Sequence, residues 1–358
     1  MKFYIIAGES SGDLYASHVV SEMIKISPEI NFRGLGGKRM KKSGVDIAID
    51  IKDLSFMGFT DVVANLLKIK NNLDFCKNDL ISYQPDAVIL IDYPGFNLRI
   101  AKHAKRIGLK VFYFVAPKVW AWGNFRIKNI VKYIDHLVVI FPFEVNLFKK
   151  FGINVYYFGN PLFNIIDYQI PRKSFNNKIA IFPGSRIQEI KRHLPVMKQF
   201  ILKYSDYDFL IPTTDLTHVF CVNILKDITN VTIVNNNSHY VLENVNYAII
   251  ASGTATLEAA LYNVPQIVCY KTDLLTFYLA KLLLKIQWIS LVNIILEKQL
   301  IVELIQSDFN IKRLSEEFNN LLNNSFSNDI LKGYNDLHKH MKHSDVFNKA
   351  AHLILRES

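Results

Sequence analysis

The sequence predicts an α/β fold of two Rossmann-like, doubly wound parallel-sheet domains facing a cleft, with helices at the C-terminal end. Three observations carry that prediction. Short apolar runs alternate with helical stretches along almost the whole chain, as in parallel α/β sheets. The 358 residues suit about two domains of ~100–200 residues each. A polar stretch at 160–177, containing Pro161 and Pro171, separates two sets of apolar runs.

Strands are expected at 3–7, 32–35, 87–91, 110–114, 137–140 and 155–158 in the first set. In the second they are expected at 179–182, 208–211, 231–234, 247–251 and 266–270. The expected domains are 1–165 and 170–328. Residues 329–358 read as helices carrying Leu337, Met341, Val346, Phe347, Ala350, Ile354 and Leu355 as an apolar stripe. Such a stripe is ordinarily core packing; here it would pack back on the first domain or on a partner subunit. Ligands of open parallel sheets bind outside the carboxyl ends of the strands, so the loops that follow strands are the ones to search.

Composition narrows the function. Half of the residues are hydrophobic, and 25 Phe with 17 Tyr supply a large core, so a disordered chain is excluded. The net charge of +10 suits an anionic partner: a nucleotide, an acidic membrane surface or nucleic acid. No Arg-rich arm, zinc-finger spacing or aromatic-basic RNA signature is present, which disfavours nucleic acid. Three scattered cysteines give no disulfide framework and fit a reducing cytosol. The first residues read as a strand followed by Glu9 and Asp13, not as a signal peptide. No stretch approaches the ~20 apolar residues of a membrane span, since Lys281 and Lys285 interrupt the best candidate, 274–295.

The segment Ala251-Ser252-Gly253-Thr254-Ala255-Thr256-Leu257-Glu258 is the richest in chemistry. It reads as a strand end, a tight turn and a helix start. A helix N-terminus offers unpaired N–H groups and partial positive charge to an anion. Gly253 leaves room for a phosphate, Ser252, Thr254 and Thr256 add hydroxyls, and Glu258 is spaced to accept from ribose hydroxyls. The plain alternative is an N-capped helix behind a buried strand. Pro183-Gly184-Ser185-Arg186 follows another strand. A cation at a helix N-terminus opposes the helix dipole, which a bound phosphate would offset.

In the first half, Gly8-Glu9-Ser10-Ser11-Gly12-Asp13 follows the first strand. It reads as a polar ligand-binding turn. It also matches G-x-S-x-G, although a nucleophile elbow at Ser10 lacks marked His and Asp partners. Gly34-Leu35-Gly36-Gly37 reads as a tight turn. Asp92 closes the strand at 87–91 and is a candidate general base or a helix cap. The loop Pro117-Lys118-Val119-Trp120-Ala121-Trp122-Gly123-Asn124-Phe125-Arg126 sets aromatic faces beside cations, which suits sugars, acyl chains and phosphates, or simple packing of Trp on the sheet. Residues 56–70 place Val62, Val63, Leu66 and Leu67 at helical spacing before lysines, either as core or as a membrane-surface helix. Asp206-Tyr207-Asp208 reads as a turn at the amino end of a strand, and His338, His340 and His343 as a solvated helix face. No cluster has metal-ligand spacing, and no cofactor or metal is expected.

These segments, in this order, resemble the lipid-A-disaccharide synthase family, bacterial inverting glycosyltransferases of the GT-B fold. The resemblance spans nearly the whole chain. It rests on 7–13, 57–63, 92–97, 117–122, 141–144, 183–186, 252–258, 291–295 and 303–306. It implies transfer of 2,3-diacylglucosamine from UDP to the 6-hydroxyl of 2,3-diacylglucosamine 1-phosphate (lipid X), forming a β-1,6-linked disaccharide. Asp92 then matches the base, with Glu9 and Arg186 as further catalytic candidates. Gly184, Ser185, Arg186, Ser252, Gly253, Thr254, Ala255, Thr256, Glu258, Tyr270, Asn293, Glu303 and Gln306 match the UDP side. Ser11, Asp61, Trp120, Trp122 and Arg126 match the acceptor side, and Val62, Val63, Leu66 and Leu67 the membrane contact. Peripheral attachment to the cytoplasmic face of the inner membrane and a homodimer are further implications.

The chain departs from the family pattern at Gly95, where some members carry a second Asp. It departs also at Lys118 for Ser, Asn160 for His and Asp61 for Glu. A UDP-sugar epimerase or hydrolase of the same fold is the alternative reading; a serine hydrolase using Ser10 and a non-catalytic nucleotide-binding module are weaker ones.

Overall fold

Strands covered by helices on both faces are apolar at every position rather than at alternate ones. The central strands show this: all of Ala87–Ile91 and all of Tyr247–Ala251 are buried. The computed structural model of the chain describes every residue except 55–64, 118, 120–124, 167–175, 274–276, 278–286 and 342–344. The expected positions Asp61, Val62, Val63, Lys118, Trp120 and Trp122 therefore lie outside the described residues, as does His343.

The chain divides into two units, Met1–Asn164 with His343–Ser358, and Ile165–Lys342. The first holds strands β1 (Lys2–Ala7), β2 (Asn31–Gly36), β3 (Val45–Asp50), β4 (Ala87–Ile91), β5 (Lys110–Phe114), β6 (His136–Val139) and β7 (Asn154–Tyr157). They form one parallel sheet in the order β3-β2-β1-β4-β5-β6-β7. Its helices are α1 (Ser10–Ile26), α2 (Lys38–Lys42), α3 (Leu66–Tyr83), α4 (Pro94–Arg106), α5 (Phe125–Tyr133), α6 (Pro142–Lys149) and α7 (Leu162–Ile165), the last ending at the boundary between the units.

The second unit holds β8 (Lys178–Phe182), β9 (Asp208–Thr213), β10 (Val231–Asn235), β11 (Tyr247–Ala251), β12 (Gln266–Tyr270) and β13 (Val302–Ile305), parallel in the order β10-β9-β8-β11-β12-β13. Its helices are α8 (Ile187–Lys203), α9 (His218–Leu225), α10 (Ser238–Glu243), α11 (Ala255–Leu261), α12 (Leu291–Leu296), α13 (Ile311–Leu322) and α14 (Asn324–Met341). A last helix, α15 (Val346–Glu357), belongs to the first unit.

Both strand orders reverse once, between β1 and β4 and between β8 and β11. A reversal of this kind opens a crevice at the carboxyl ends of the two strands, because their crossover helices leave in opposite directions. The strands β3 and β13 were not expected from the sequence. Both are edge strands and mostly half-exposed, and Asp46, Asp50 and Glu303 interrupt their apolar runs.

The C-terminal stripe is core. Leu337 and Met341 of α14 are buried, as are Val346, Phe347, Ala350 and Ile354 of α15, while Leu355 is half-buried. The two helices nevertheless divide between the units. In the first, α15 packs on α1, with Phe347 stacked on His18 at 4.7 Å and Asn348 donating to Glu22 at 3.1 Å. His338 departs from the solvated face expected of it: it is half-buried and meets the Ala260 carbonyl at 3.3 Å.

Candidate functional site

In the first unit, the turns after β1 and β4 flank the reversal point. Glu9 is the N-cap residue of α1 and half-buried, and Ser10 and Ser11 are exposed in the first turn. Ser10 is not among the residues with left-handed backbone, so the strained turn of a nucleophile elbow is missing. Asp13 faces inward instead. Its carboxylate accepts from the backbone N–H groups of Gly37 at 2.7 Å, Met40 at 3.1 Å and Arg39 at 3.1 Å. It thus caps α2 and closes the 34–37 turn, which makes that turn structural.

Asp92 continues the sheet by one residue, its N–H donating to the Phe114 carbonyl at 3.0 Å. It then turns left-handed, with φ 46° at Asp92 and 49° at Tyr93. Such backbone costs about 1–3 kcal/mol per non-glycine residue and persists only where its surroundings hold it. Here the Asp92 carbonyl accepts from the buried Tyr113 hydroxyl and from Asn97 Nδ2 at 2.8 Å, and the Tyr93 hydroxyl donates to Leu54 at 2.7 Å. Tyr93, not Asp92, is the N-cap residue of α4. The Asp92 side chain is half-buried.

Burial holds the Tyr113 hydroxyl far above its ordinary pKa, the nearby Asp92 carboxylate adds to this, and Arg126 opposes it. Tyr93 is pushed up to about 12, by burial first and then by Glu9. Glu9 thus acts on the half-buried phenol of Tyr93, and Asp92 and Arg126 on the buried phenol of Tyr113. Leu66 and Leu67, on the first turn of α3, are exposed at 55% and 79%. Asn160 caps α7, accepting from Leu162 N–H at 3.0 Å and donating to Ile140 at 3.3 Å. The buried Glu144 caps α6 by accepting from Phe141 N–H at 3.1 Å.

In the second unit, the turns after β8 and β11 flank the other reversal point. Gly184 has φ 124°, and a Cβ there would meet Glu189 at 2.7 Å. Ser185 N–H donates to Glu189 Oε2 at 3.1 Å, and Arg186, the N-cap residue of α8, pairs with Glu189 Oε1 at 3.0 Å. Glu189 thus offsets the cation at the helix start, so the position of Arg186 does not by itself require a phosphate. Ser185 and Arg186 are exposed.

After β11, Gly253 and Thr254 are exposed, Ala255 is half-buried, and among the described residues nothing beyond its chain neighbours lies within 4 Å of a Cβ built on Gly253. The Ser252 hydroxyl donates to the Ile289 carbonyl at 2.8 Å. Thr256 corrects the sequence reading: it is fully buried and its hydroxyl donates to Gly253 O at 2.8 Å, so it closes the turn rather than facing a ligand. Glu258 is half-buried, and burial raises its pKa, while His239 and the hydroxyl of Ser238 pull it down.

Three more expected UDP-side residues act within the fold. Asn293 is fully buried, accepts from Leu300 and Ile301 N–H at 2.8 and 3.0 Å, and donates to the Ile301 carbonyl and Glu303 at 2.9 Å each. Those four bonds use its whole capacity, so it cannot also bond a ligand. Glu303 accepts from Ile289 and Ser290 N–H at 2.9 Å each, which fixes the turn that holds Ser252. Gln306 pairs both amide atoms with the backbone of Thr272, at 2.8 and 3.1 Å.

Tyr270 is half-buried at the end of β12. Sequence reasoning missed Tyr113, Glu189 and His193, because a buried polar residue carries no local pattern that marks its partner. Among the described residues no group of His, Cys, Asp or Glu is arranged to hold a metal ion, and no helix is long and apolar enough to cross a membrane.

Comparisons with known proteins agree on one family. A family model described as lipid-A-disaccharide synthetase matches residues 3–356. A lipid-A-disaccharide synthase of Coxiella burnetii is 37% identical over 335 residues, covering 89% of this chain and 88% of that protein. The corresponding protein of Nitrosococcus oceani is 35% identical over 333 residues, covering 89% and 86%. Among solved structures, a UDP-GlcNAc 2-epimerase from Neisseria meningitidis, bound to UDP-GlcNAc, aligns over 100% of this chain and 99% of that one. Its TM-score is 0.68 at 12% identity, a likeness of fold alone. The chain belongs to the lipid-A-disaccharide synthase family of glycosyltransferases.

Proposed function

We propose that this glycosyltransferase moves 2,3-diacylglucosamine from UDP onto the 6-hydroxyl of lipid X, and that the groups for the transfer are those at the two reversal points. The observation that carries the reading is the coincidence of motif and topology. The four turns at 8–13, 92–97, 183–186 and 252–256 each follow one of the four strands that flank a reversal.

In this reading the first domain, 1–165, takes the acceptor and the second, 170–328, takes UDP. Asp92 accepts the proton of the acceptor 6-hydroxyl as that oxygen attacks the anomeric carbon. The bond from that carbon to the diphosphate oxygen breaks on the opposite face, which inverts the centre, and UDP leaves with the bonding pair. Negative charge then grows on the diphosphate. Arg186 and the open turn at Gly253 and Thr254 meet it, with Gly184 and Ser185 shaping the neighbouring turn. Glu258 accepts from the ribose hydroxyls, and Tyr270 lines the same side. Asn293, Glu303, Gln306 and Thr256 serve by holding these turns.

Glu9, Ser11 and Arg126 lie on the acceptor side, and Asp61, Trp120 and Trp122 are assigned there by resemblance alone. Acyl chains keep both substrates in a bilayer. Leu66 and Leu67, beside lysines on a cationic protein, support peripheral attachment to the cytoplasmic face of the inner membrane. A homodimer belongs to the same proposal.

The test is UDP release from UDP-2,3-diacylglucosamine, with and without lipid X, by wild type and Asp92→Asn. Release that requires lipid X and falls at least about 100-fold in the variant supports transfer and base together. Acceptor-dependent release that survives moves the base to Glu9 or Asp61. Release without acceptor makes the protein a hydrolase, and no release refutes the transfer.

A further inference from the structure

His193, on the second turn of α8, is fully buried and bonded through both ring nitrogens. Nδ1 lies 2.8 Å from the carbonyl of Pro183, the first residue after β8. Nε2 lies 2.9 Å from the backbone N–H of Lys271, the first residue after β12. A carbonyl only accepts and an N–H only donates, so the ring is neutral, with its hydrogen on Nδ1. No other arrangement of protons satisfies both partners.

We propose that His193 is a positioning residue for the UDP-sugar site, locking the 183–186 turn to the end of β12 only while its ring is neutral. This rests on the reading above that UDP is held at that turn. Protonation would put a hydrogen on Nε2 against the Lys271 N–H, donor against donor, and the lock would open.

The groups around the ring fit that role. On α8 it is faced by Glu189 and Arg192, and Arg192 also reaches Asp273, beyond β12, at 3.6 Å. From β12 comes Tyr270, with ring centroids 6.0 Å apart, and from beyond β13 comes Phe309 at 5.9 Å. Burial lowers the pKa of His193; the Pro183 carbonyl and Glu189 pull it up, and Arg192 pushes it down. The far side of the joint is held as well, since Gln306 grips Thr272, next to Lys271.

The lock predicts a donor-binding term that is lost in acid. The diphosphate of a UDP-sugar is a diester whose charge is constant across the range where an imidazole titrates, so the ligand contributes no limb of its own. In wild type, the KM for UDP-2,3-diacylglucosamine should rise as pH falls below about 6.5, by up to about tenfold at about pH 5.5. His193→Asn keeps a donor but loses the second bond. It should show a KM raised about tenfold at the higher pH, a smaller rise in acid than wild type because only the Glu258 carboxylate still titrates at the site, and a kcat within about twofold of wild type. His193→Gln, whose longer amide likewise does not titrate, serves for the acid limb if the asparagine variant does not fold.

Binding of UDP-N-acetylglucosamine by calorimetry, at the same two pH values, reads the lock without the reaction. Acid-sensitive binding by a protein that releases no UDP refutes the transfer and keeps the lock. Acid-insensitive binding, an acid limb as large in the variants as in wild type, or no binding at all overturns the lock.

Discussion

The ring of Tyr93 lies over Gly8, so close that a Cβ on Gly8 would meet Tyr93 Cδ1 at 2.3 Å. This contact joins the turn after β1 to the turn after β4, the two sides of the reversal point in the first unit. Tyr93 has little room to yield. Its backbone is left-handed, its hydroxyl is bonded to Leu54 and its ring is stacked on Phe96 at 5.5 Å.

Gly8→Ala should therefore displace Tyr93 and, with it, the neighbouring Asp92. Overpacking of this kind costs about 1–3 kcal/mol, which is a fall of several degrees in melting temperature. Acceptor-dependent UDP release should fall about tenfold or more beyond the loss of folded protein. Calorimetry and initial rates on the same preparation check both. A full-rate, full-stability alanine variant would mean that Tyr93 is free to move.

Glu303→Gln removes one carboxylate acceptor from a set of three N–H donors and adds a donor beside them. The turn at 289–290 should loosen, and with it the anchor of Ser252. The expected result is a KM for the UDP donor raised about tenfold, with stability reduced by about 1–3 kcal/mol. Urea unfolding and donor titration separate the two effects.

Gly95 is exposed in the first turn of α4, and among the described residues a Cβ there meets nothing within 4 Å. Gly95→Asp should fit without strain. It should also stabilise the protein by about 0.5–1 kcal/mol, since it removes a helical glycine and sets a carboxylate at a helix N-terminus. A rise in the urea midpoint checks this; a fall would mean that the added charge is repelled by Asp92.

Acid should weaken the fold. His18, His103, His136, His193 and His338 all have their pKa lowered from 6.5, and in each the largest cause is burial. Above that ordinary value both folded and unfolded chains hold neutral rings, and stability is complete. As pH falls, the unfolded chain takes up protons that the folded chain refuses, so stability is lost as pH drops through the lowered folded values. The melting temperature should fall by several degrees from about pH 7.5 to about pH 5. A melting temperature flat across that interval would contradict burial as the dominant cause.

Much of this site was legible before the fold was known. Apolar runs such as 87–91 and 247–251 marked central strands, because burial on both faces demands such runs, and the loops after them held Asp92 and Ser252. The reversal points were not legible, since nothing within a strand records which strand lies beside it. Nor could the sequence separate ligand contacts from internal bonds. Asp13, Thr256 and Asn293 have the side chains a nucleotide site uses, yet each one meets backbone groups of its own chain. Tyr113 and His193 show the converse, since buried residues with no motif hold the motifs in place.

The pairing of α1 with α15 also bears on how the protein is made. Residues near the start of the chain, His18 and Glu22, find their partners in Phe347 and Asn348, which a ribosome supplies only after every strand of the second unit has emerged. The unit synthesised first is thus the one finished last. Until α15 arrives, the side of α1 that it covers stays open.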